Sequence, residues 1–349
     1  MNKEKPTSAL RYPFAPPARG QTLEVASGVH WIRMPLPFML NHINLWALDD
    51  GEGWAIVDTG TSSDDNTQVW RELFAQATDP RPITRIFVTH MHPDHVGMAG
   101  WLTRKLRIRL WMTRLEYLNC RVLASESGRD ATPDELSFYL QAGWSHAAIA
   151  SYHQRFGVFG KHIHALPDSY RRLQDGEELR IGARTWRVVV GSGHSPEHAC
   201  LYCPELAVLI SGDQVLPRIS SNISVYPSEP DADPMRDWLA SLQKLRREVP
   251  DDVLVLPSHN EPFYGLHARL LQLAADHERT FERLKRALRQ PRRAVELSEA
   301  LFGRAISEDD IPLLHMATGE AMACLNYLMC RGEVQRVLAD DGVMRYSLR

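Results

Sequence analysis

The stretch Thr89-His90-Met91-His92-Pro93-Asp94-His95 constrains this chain more than any other. His90, His92, Asp94 and His95 all have metal-ligand chemistry, and they fall within six consecutive residues. Just before them, Ile83-Thr84-Arg85-Ile86-Phe87-Val88 is β-branched and apolar and reads as a buried strand. Just after, Val96-Gly97-Met98-Ala99-Gly100-Trp101-Leu102 reads as the first turns of a helix. The cluster therefore sits on a strand-to-helix turn, at the C-terminal end of a strand. Alternate residues of an extended turn point the same way, so His90 and His92 can share one ion. Asp94 and His95, from the helix start, can face a second. Imidazole and carboxylate together suit zinc, manganese or iron.

An ion needs further ligands, and three more strands each deliver one. Arg187-Val188-Val189-Val190 runs into Gly191-Ser192-Gly193-His194, where glycines allow a tight turn. Leu206-Ala207-Val208-Leu209-Ile210 ends in Ser211-Gly212-Asp213, and Val253-Leu254-Val255-Leu256-Pro257 ends in Ser258-His259-Asn260.

The set His90-x-His92-x-Asp94-His95, His194, Asp213 and His259 resembles the metallo-β-lactamase superfamily, and more narrowly its glyoxalase II-like metallohydrolases. The likeness runs from about residue 25 to 265. It implies an α/β fold, an αββα sandwich with a dinuclear site at one edge. By the resemblance, His90, His92 and His194 hold the first metal, Asp94, His95 and His259 the second, and Asp213 bridges. Asp58, in Ile56-Val57-Asp58-Thr59-Gly60, matches the family's aspartate that orients a ligand imidazole. The implied chemistry is hydrolysis by a metal-bound hydroxide, with Asp94 as the catalytic proton acceptor. Two divalent cations are expected, zinc first, with iron or manganese as alternatives. Asp213 stands where many β-lactamases carry Cys or Ser, which argues against antibiotic hydrolysis. His92 stands where flavodiiron oxidases usually carry Glu. Ser258 and Asn260 flank His259 where the family often has glycines.

The remaining sequence frames this site. Strands are expected at 29–34, 43–49, 53–58 and 107–112, and a helix at 64–76. Ile43, Leu45 and Ala47 mark a sheet face packed under helices. Asn41 and His42 are candidates for the rim of the site. Residues 1–20 are polar and proline-rich and read as a flexible arm, without the apolar core of a signal peptide. No run of about 18 apolar residues exists, so no membrane span is expected. Five cysteines without a framework pattern fit reduced thiols and a cytoplasmic setting. Cys200 and Cys203 lie on a strand, where a spacing of three sends them to opposite faces. Residues 21–265 are assigned to the catalytic domain, with a helical insertion at about 114–175. The insertion's aromatics either form a lid over an acyl group or pack the insertion down. The long segment from Gln214 to Pro230 can line a substrate pocket, with Arg218 and Tyr226 as candidate substrate contacts.

Residues 266–349 pattern as three helices and a hairpin, which resembles a winged-helix module. This raises a second reading, a phosphodiesterase or ribonuclease with a nucleic-acid clamp. Against it, the segment carries 13 Lys and Arg against 12 Asp and Glu, and residues 312–329 hold no Lys or Arg. A nucleic-acid module needs a basic face, so the segment is read as a packing or homodimerisation element. A third reading is a mono-iron, persulfide dioxygenase-like enzyme. The leading expectation is a hydrolase of a small-molecule thioester, ester or lactone.

Overall fold

The computed structural model describes residues 10–37, 40–76 and 81–349. Most of the first half of the expected arm, residues 1–9, lies outside them. The elements in chain order are β1 (Thr22–Ala26), β2 (Val29–Pro35), β3 (His42–Asp49), β4 (Trp54–Val57), α1 (Asp64–Gln76), β5 (Ile83–Phe87), α2 (Pro93–Val96), α3 (Ala99–Leu106), β6 (Leu110–Met112), α4 (Arg114–Ser125), α5 (Pro133–Ala142), α6 (His146–Arg155) and β7 (Arg171–Arg172). There follow β8 (Glu178–Ile181), β9 (Arg184–Gly191), β10 (His198–Cys203), β11 (Val208–Gly212), α7 (Pro234–Glu248), β12 (Leu254–Pro257), α8 (Leu266–Ala287), α9 (Ser298–Phe302), α10 (Ile311–Cys330), β13 (Val334–Leu338) and β14 (Met344–Leu348). The chain forms two compact units. One comprises Met1–Ser127, Val158–Ser221 and Gln243–Leu270, the other Gly128–Gly157, Asn222–Leu242 and Leu271–Arg349.

The first unit is built on two sheets. One holds seven strands in the order β1 to β7, and the other holds five in the order β12-β11-β10-β9-β8. β3 explains the layering, because seven of its eight residues are buried. Ile43, Leu45 and Ala47 face a core shared with Trp70 of α1, Leu102 of α3 and Cys120 of α4. Trp46 and Leu48 face the opposite way, into a core shared with Trp186, Leu201, Ile210 and Leu256 of the second sheet. A strand covered on both faces reads as a nearly continuous apolar run. On the second sheet, Lys244 Nζ of α7 donates to Val190 O at 2.8 Å and Arg187 Nη2 donates to Glu248 O at 2.8 Å. The αββα sandwich expected from the sequence is the fold of this unit.

Local chemistry sets the element ends. The strand expected over 107–112 begins only at Leu110. Arg107 takes a left-handed conformation, φ 57°, that ends α3 first. Cys200 and Cys203 do point to opposite faces of β10. Cys203 enters the core between the sheets, while Cys200 Sγ lies 3.7 Å from His198 Nδ1. All five cysteines are free. Near the N-terminus, Arg11 pairs with Tyr264 in an antiparallel bridge.

The second unit gathers α5, α6, most of α8, α9, α10 and the β13–β14 hairpin. Thr132 begins α5 with a capping box completed by Glu135, and the Ser145 side chain caps α6. The aromatics of the insertion divide between the units. Tyr117 stacks on Tyr170 in the first, ring centroids 3.8 Å apart. In the second, Tyr139 and Tyr152 surround His315 at 5.6 and 6.0 Å, and Trp144 Nε1 donates to Thr318 Oγ1 at 2.9 Å. These rings pack their own units. The order helix, helix, helix, hairpin expected for the C-terminal segment is present. α10 is buried along most of its length, all of Ala321–Leu325 included. Among the described residues no helix is long and apolar enough to cross a membrane.

Candidate metal centre

All seven proposed ligands come from segments that follow strands in the first unit. His90 and His92 leave β5, Asp94 and His95 lie on α2, His194 follows β9, Asp213 follows β11 and His259 follows β12. β11 and β12 are parallel neighbours, so their C-terminal ends lie side by side.

Three groups within this set place their donor atoms close enough to hold a metal ion: His90, His92 and His194; His90, His95 and Asp213; and Asp94, His95 and His259. His90 Nε2 and His92 Nδ1 point at one another, 2.9 Å apart. Asp213 reaches both sides. Its Oδ2 stands 3.5 Å from His194 Nε2, and its Oδ1 stands 3.5 Å from both His95 Nε2 and His259 Nε2. Asp94 Oδ2 lies 3.3 Å from His259 Nε2 and 3.7 Å from His95 Nε2. Ligands about 2.0–2.1 Å from a tetrahedral ion stand roughly 3.4 Å apart, so this spacing fits a shared cation. His95 Nε2 and Asp213 Oδ1 are buried and make no hydrogen bond. Such atoms are costly unless something pairs with them, and a divalent cation suits them both.

The surroundings fix which ring nitrogen is free. Asp58 is buried on a left-handed turn, φ 62°. Its Oδ2 accepts from His95 Nδ1 at 2.8 Å, and its Oδ1 accepts from Thr89 N at 2.8 Å. Thr89 Oγ1 donates to Asp58 Oδ2 at 2.9 Å and can accept from His90 Nδ1 at 3.1 Å. One carboxylate, directly and through Thr89, thus holds protons of two imidazoles on Nδ1 and leaves both Nε2 atoms facing the centre. His259 Nδ1 donates to His42 O at 2.9 Å, with the same result.

The rim candidates Asn41 and His42 turn out to brace the His259 loop. His42 Nε2 accepts from Asn260 N at 2.9 Å, and Asn41 Oδ1 accepts from His42 Nδ1 at 2.9 Å. Asn44 Nδ2 donates to Pro257 O at 2.8 Å and Asn260 O at 2.6 Å. Asn260 has φ 67°. Asparagine visits this left-handed region more readily than other non-glycine residues, so it can stand where the family often has glycine.

The electrostatics divide the histidines into two sets. Burial, together with neighbouring histidines, lowers the pKa of His90, and burial with His194 lowers that of His92 to about 3. Burial also opposes charge on His95 and His259, but there the carboxylates win. Asp94, Asp58 and Asp213 raise His95, and Asp213 and Asp94 raise His259 to about 10. Burial likewise opposes charge on Asp213, yet His259 and His95 pull its pKa well down.

Two residues here carried no role in the sequence reading. His198 is fully buried, lies over His90 with ring centroids 4.8 Å apart, and accepts from Asp213 N at 3.0 Å. Gly212 makes this approach possible, because a Cβ there would lie 2.4 Å from His198 Nε2. The signal was the second histidine of His194-Ser195-Pro196-Glu197-His198. Glu116, on α4, is the other. Of the candidate substrate contacts, Arg218 donates to Glu261 Oε2 at 3.0 Å and lies 4.4 Å over the Tyr12 ring. Tyr226 belongs to the second unit, half exposed and 6.2 Å from His315.

Residues 40–259 match the family model of the metallo-beta-lactamase superfamily. The chain belongs to this superfamily. Residues 281–349 match a second model, the metallo-beta-lactamase-like C-terminal domain. Among solved structures, the chain is similar to a beta-lactamase domain protein from Burkholderia ambifaria, 43% identical with a TM-score of 0.89; the match covers 97% of this chain and 98% of that one. Among curated relatives, a linear primary-alkylsulfatase from a Pseudomonas strain is 29% identical over 61% of this chain, and the match spans only 40% of that protein's length. The acyl-coenzyme A thioesterase MBLAC2 of Gallus gallus is 25% identical over 72% of this chain and 84% of its own length.

Proposed function

We propose that this chain is a dinuclear metal-dependent hydrolase of thioesters, esters or lactones, of the glyoxalase II type. The observation that carries the proposal is the position of Asp213, with one oxygen toward His194 and the other toward His95 and His259. A carboxylate placed in this way suits two ions and fits a mono-iron dioxygenase less well. His90, His92 and His194 would hold one ion, Asp94, His95 and His259 the other, and Asp213 both. Imidazole and carboxylate ligands together suit zinc first, and also iron or manganese. Two divalent cations, when bound, supply a lowered water pKa and a Lewis acid for the substrate oxygen.

The protein's own residues supply the rest. Asp94 accepts the proton of the attacking water and returns it to the leaving group. Asp58, through His95 and Thr89, and His42, through His259, keep the imidazole tautomers correct. Arg218 is a proposed substrate contact, and the active form is proposed to be cytoplasmic and homodimeric. The likeness to an acyl-coenzyme A thioesterase over most of both chains favours an acyl thioester. The C-terminal segment has the element order of a winged helix, but its α10 is largely buried and carries no Lys or Arg. That favours a small-molecule substrate over a nucleic-acid clamp.

The test is metal content by mass spectrometry on native protein, with turnover of acyl thioesters, lactones, an alkyl sulfate, bis-p-nitrophenyl phosphate and RNA. Two metals per chain with thioester or lactone turnover is the expected result. One iron per chain with oxygen uptake, or turnover confined to the sulfate or phosphodiester substrates, would overturn it.

A further inference from the structure

Glu116 is a carboxylate that the mechanism above does not use, and it is completely buried. It occupies the first turn of α4, whose sequence Arg114-Leu115-Glu116 shows no ligand pattern. Its two oxygens take one bond each from two different ligand-bearing loops. Oε2 accepts from Met91 N at 2.9 Å, and Met91 lies between His90 and His92. Oε1 accepts from Glu197 N at 2.8 Å, and Glu197 lies between His194 and His198.

The connection is reciprocal. Glu197 Oε2 accepts from Leu115 N at 2.8 Å, filling one of the open N–H groups at the start of α4. Thr113 Oγ1, from the residue preceding α4, donates to Glu197 O at 2.7 Å. Four hydrogen bonds therefore join one helix start to both loops. The loops carry the three imidazoles of one group, whose His92 and His194 rings are 4.6 Å apart.

We propose that Glu116 is a positioning residue that fixes the spacing between the His90/His92 pair and His194. This inference rests on the reading of those three histidines as a metal site. The side-chain chemistry is specific. A carboxylate offers two acceptors; glutamine offers one acceptor and one donor, so its amide would confront a backbone N–H. A buried donor left unpaired costs about 1–3 kcal/mol, and the cheapest relief is for one loop to retreat. Aspartate keeps both acceptors but is one methylene shorter, so it can serve one loop at a time.

The experiment compares wild type, E116Q and E116D as full chains, first stripped with a chelator. Zinc binding is measured by calorimetry and by competition with a chromophoric chelator, and cobalt(II) absorption reports the ligand geometry. The expected result is two zinc sites in wild type. In E116Q one of them is weakened about 10- to 100-fold, the range typical for residues that orient metal ligands. The other site stays within about threefold, and the cobalt spectrum of the weakened site changes. E116D is expected to lie between the two. A role limited to stability would instead lower the melting temperature of the stripped protein and move both sites together; that outcome, or wild-type affinity at both sites in E116Q, overturns the proposal. If E116Q does not fold, T113V removes only the bond to Glu197 O. It should weaken the same single site several-fold, and unchanged affinity at both sites would overturn the proposal. Absence of zinc binding in wild type would instead overturn the metal-site reading itself.

Discussion

Replacing Asp58 by asparagine tests the electrostatic design of the centre with a change of one atom. The backbone tolerates it, because asparagine accepts the φ of 62° at this turn. The hydrogen bonding does not. Asp58 accepts three donors, Thr89 N, Thr89 Oγ1 and His95 Nδ1. If the amide oxygen keeps Thr89 N, the amide nitrogen replaces the oxygen that now lies 2.8 Å from His95 Nδ1. That nitrogen donates, so Nδ1 must accept and the imidazole proton moves to Nε2, the atom facing Asp94 and Asp213. A protonated Nε2 cannot ligate an ion. The expected loss is about 10- to 100-fold in affinity at the Asp94/His95/His259 site, equivalent to roughly 1.4–2.8 kcal/mol. The effect on His90 passes through the Thr89 hydroxyl, which can turn to a new partner, so the His90/His92/His194 site should change less. The assay is zinc titration of the chelator-stripped variant, with circular dichroism to verify the fold. A folded D58N variant that binds both ions within twofold of wild type would refute the tautomer argument.

Other perturbations probe other parts of the chain. D213A removes the carboxylate between the two groups, so metal content should fall from two ions per chain to about one and turnover should collapse; two retained metals with full activity would remove Asp213 from the bridge. Burial raises the carboxyl of Glu320, whose Oε2 accepts from Asn222 Nδ2, to about 7 from an ordinary 4.5. A carboxyl raised in the folded state contributes stability that is complete below about pH 4.5 and lost as pH rises through about 7. The full shift is worth about 3 kcal/mol, less to the extent that solvent reaches the group. E320Q should therefore match wild type near pH 5 and exceed it by about 1–3 kcal/mol at pH 8.5 in urea unfolding, and parallel pH profiles would disprove this account. A Cβ on Gly97 would lie 2.4 Å from Pro93 O and 2.5 Å from Ser62 N. G97A should cost about 1–3 kcal/mol or more, and a melting temperature equal to wild type would show that α2 can shift freely.

Much of the candidate centre was legible in the sequence, for a physical reason. A strand must be apolar to be buried on both faces, and a ligand can only follow where that strand ends. The runs before His90, His194, Asp213 and His259 are therefore visible as abrupt changes from β-branched residues to polar ones. Asp58 could be read in the same way, from Ile56-Val57-Asp58. The supports that join one loop to another carried no such mark. Glu116 lies in a helix whose sequence looks ordinary, and its significance comes from two backbone N–H groups that meet only in the folded chain. Asn44 and His42 act through the carbonyls and N–H groups around His259, not through a side-chain pattern. Backbone partners leave no imprint on residue type at the other end, so period and composition cannot reveal them. The insertion illustrates the same limit. Its aromatics could be counted, but their allegiance depended on which rings fold around His315 and which stack at Tyr170. The candidate ligands were thus written locally, while their arrangement depends on long-range hydrogen bonds. Substitutions at those bonds should therefore alter metal affinity while leaving every ligand in place.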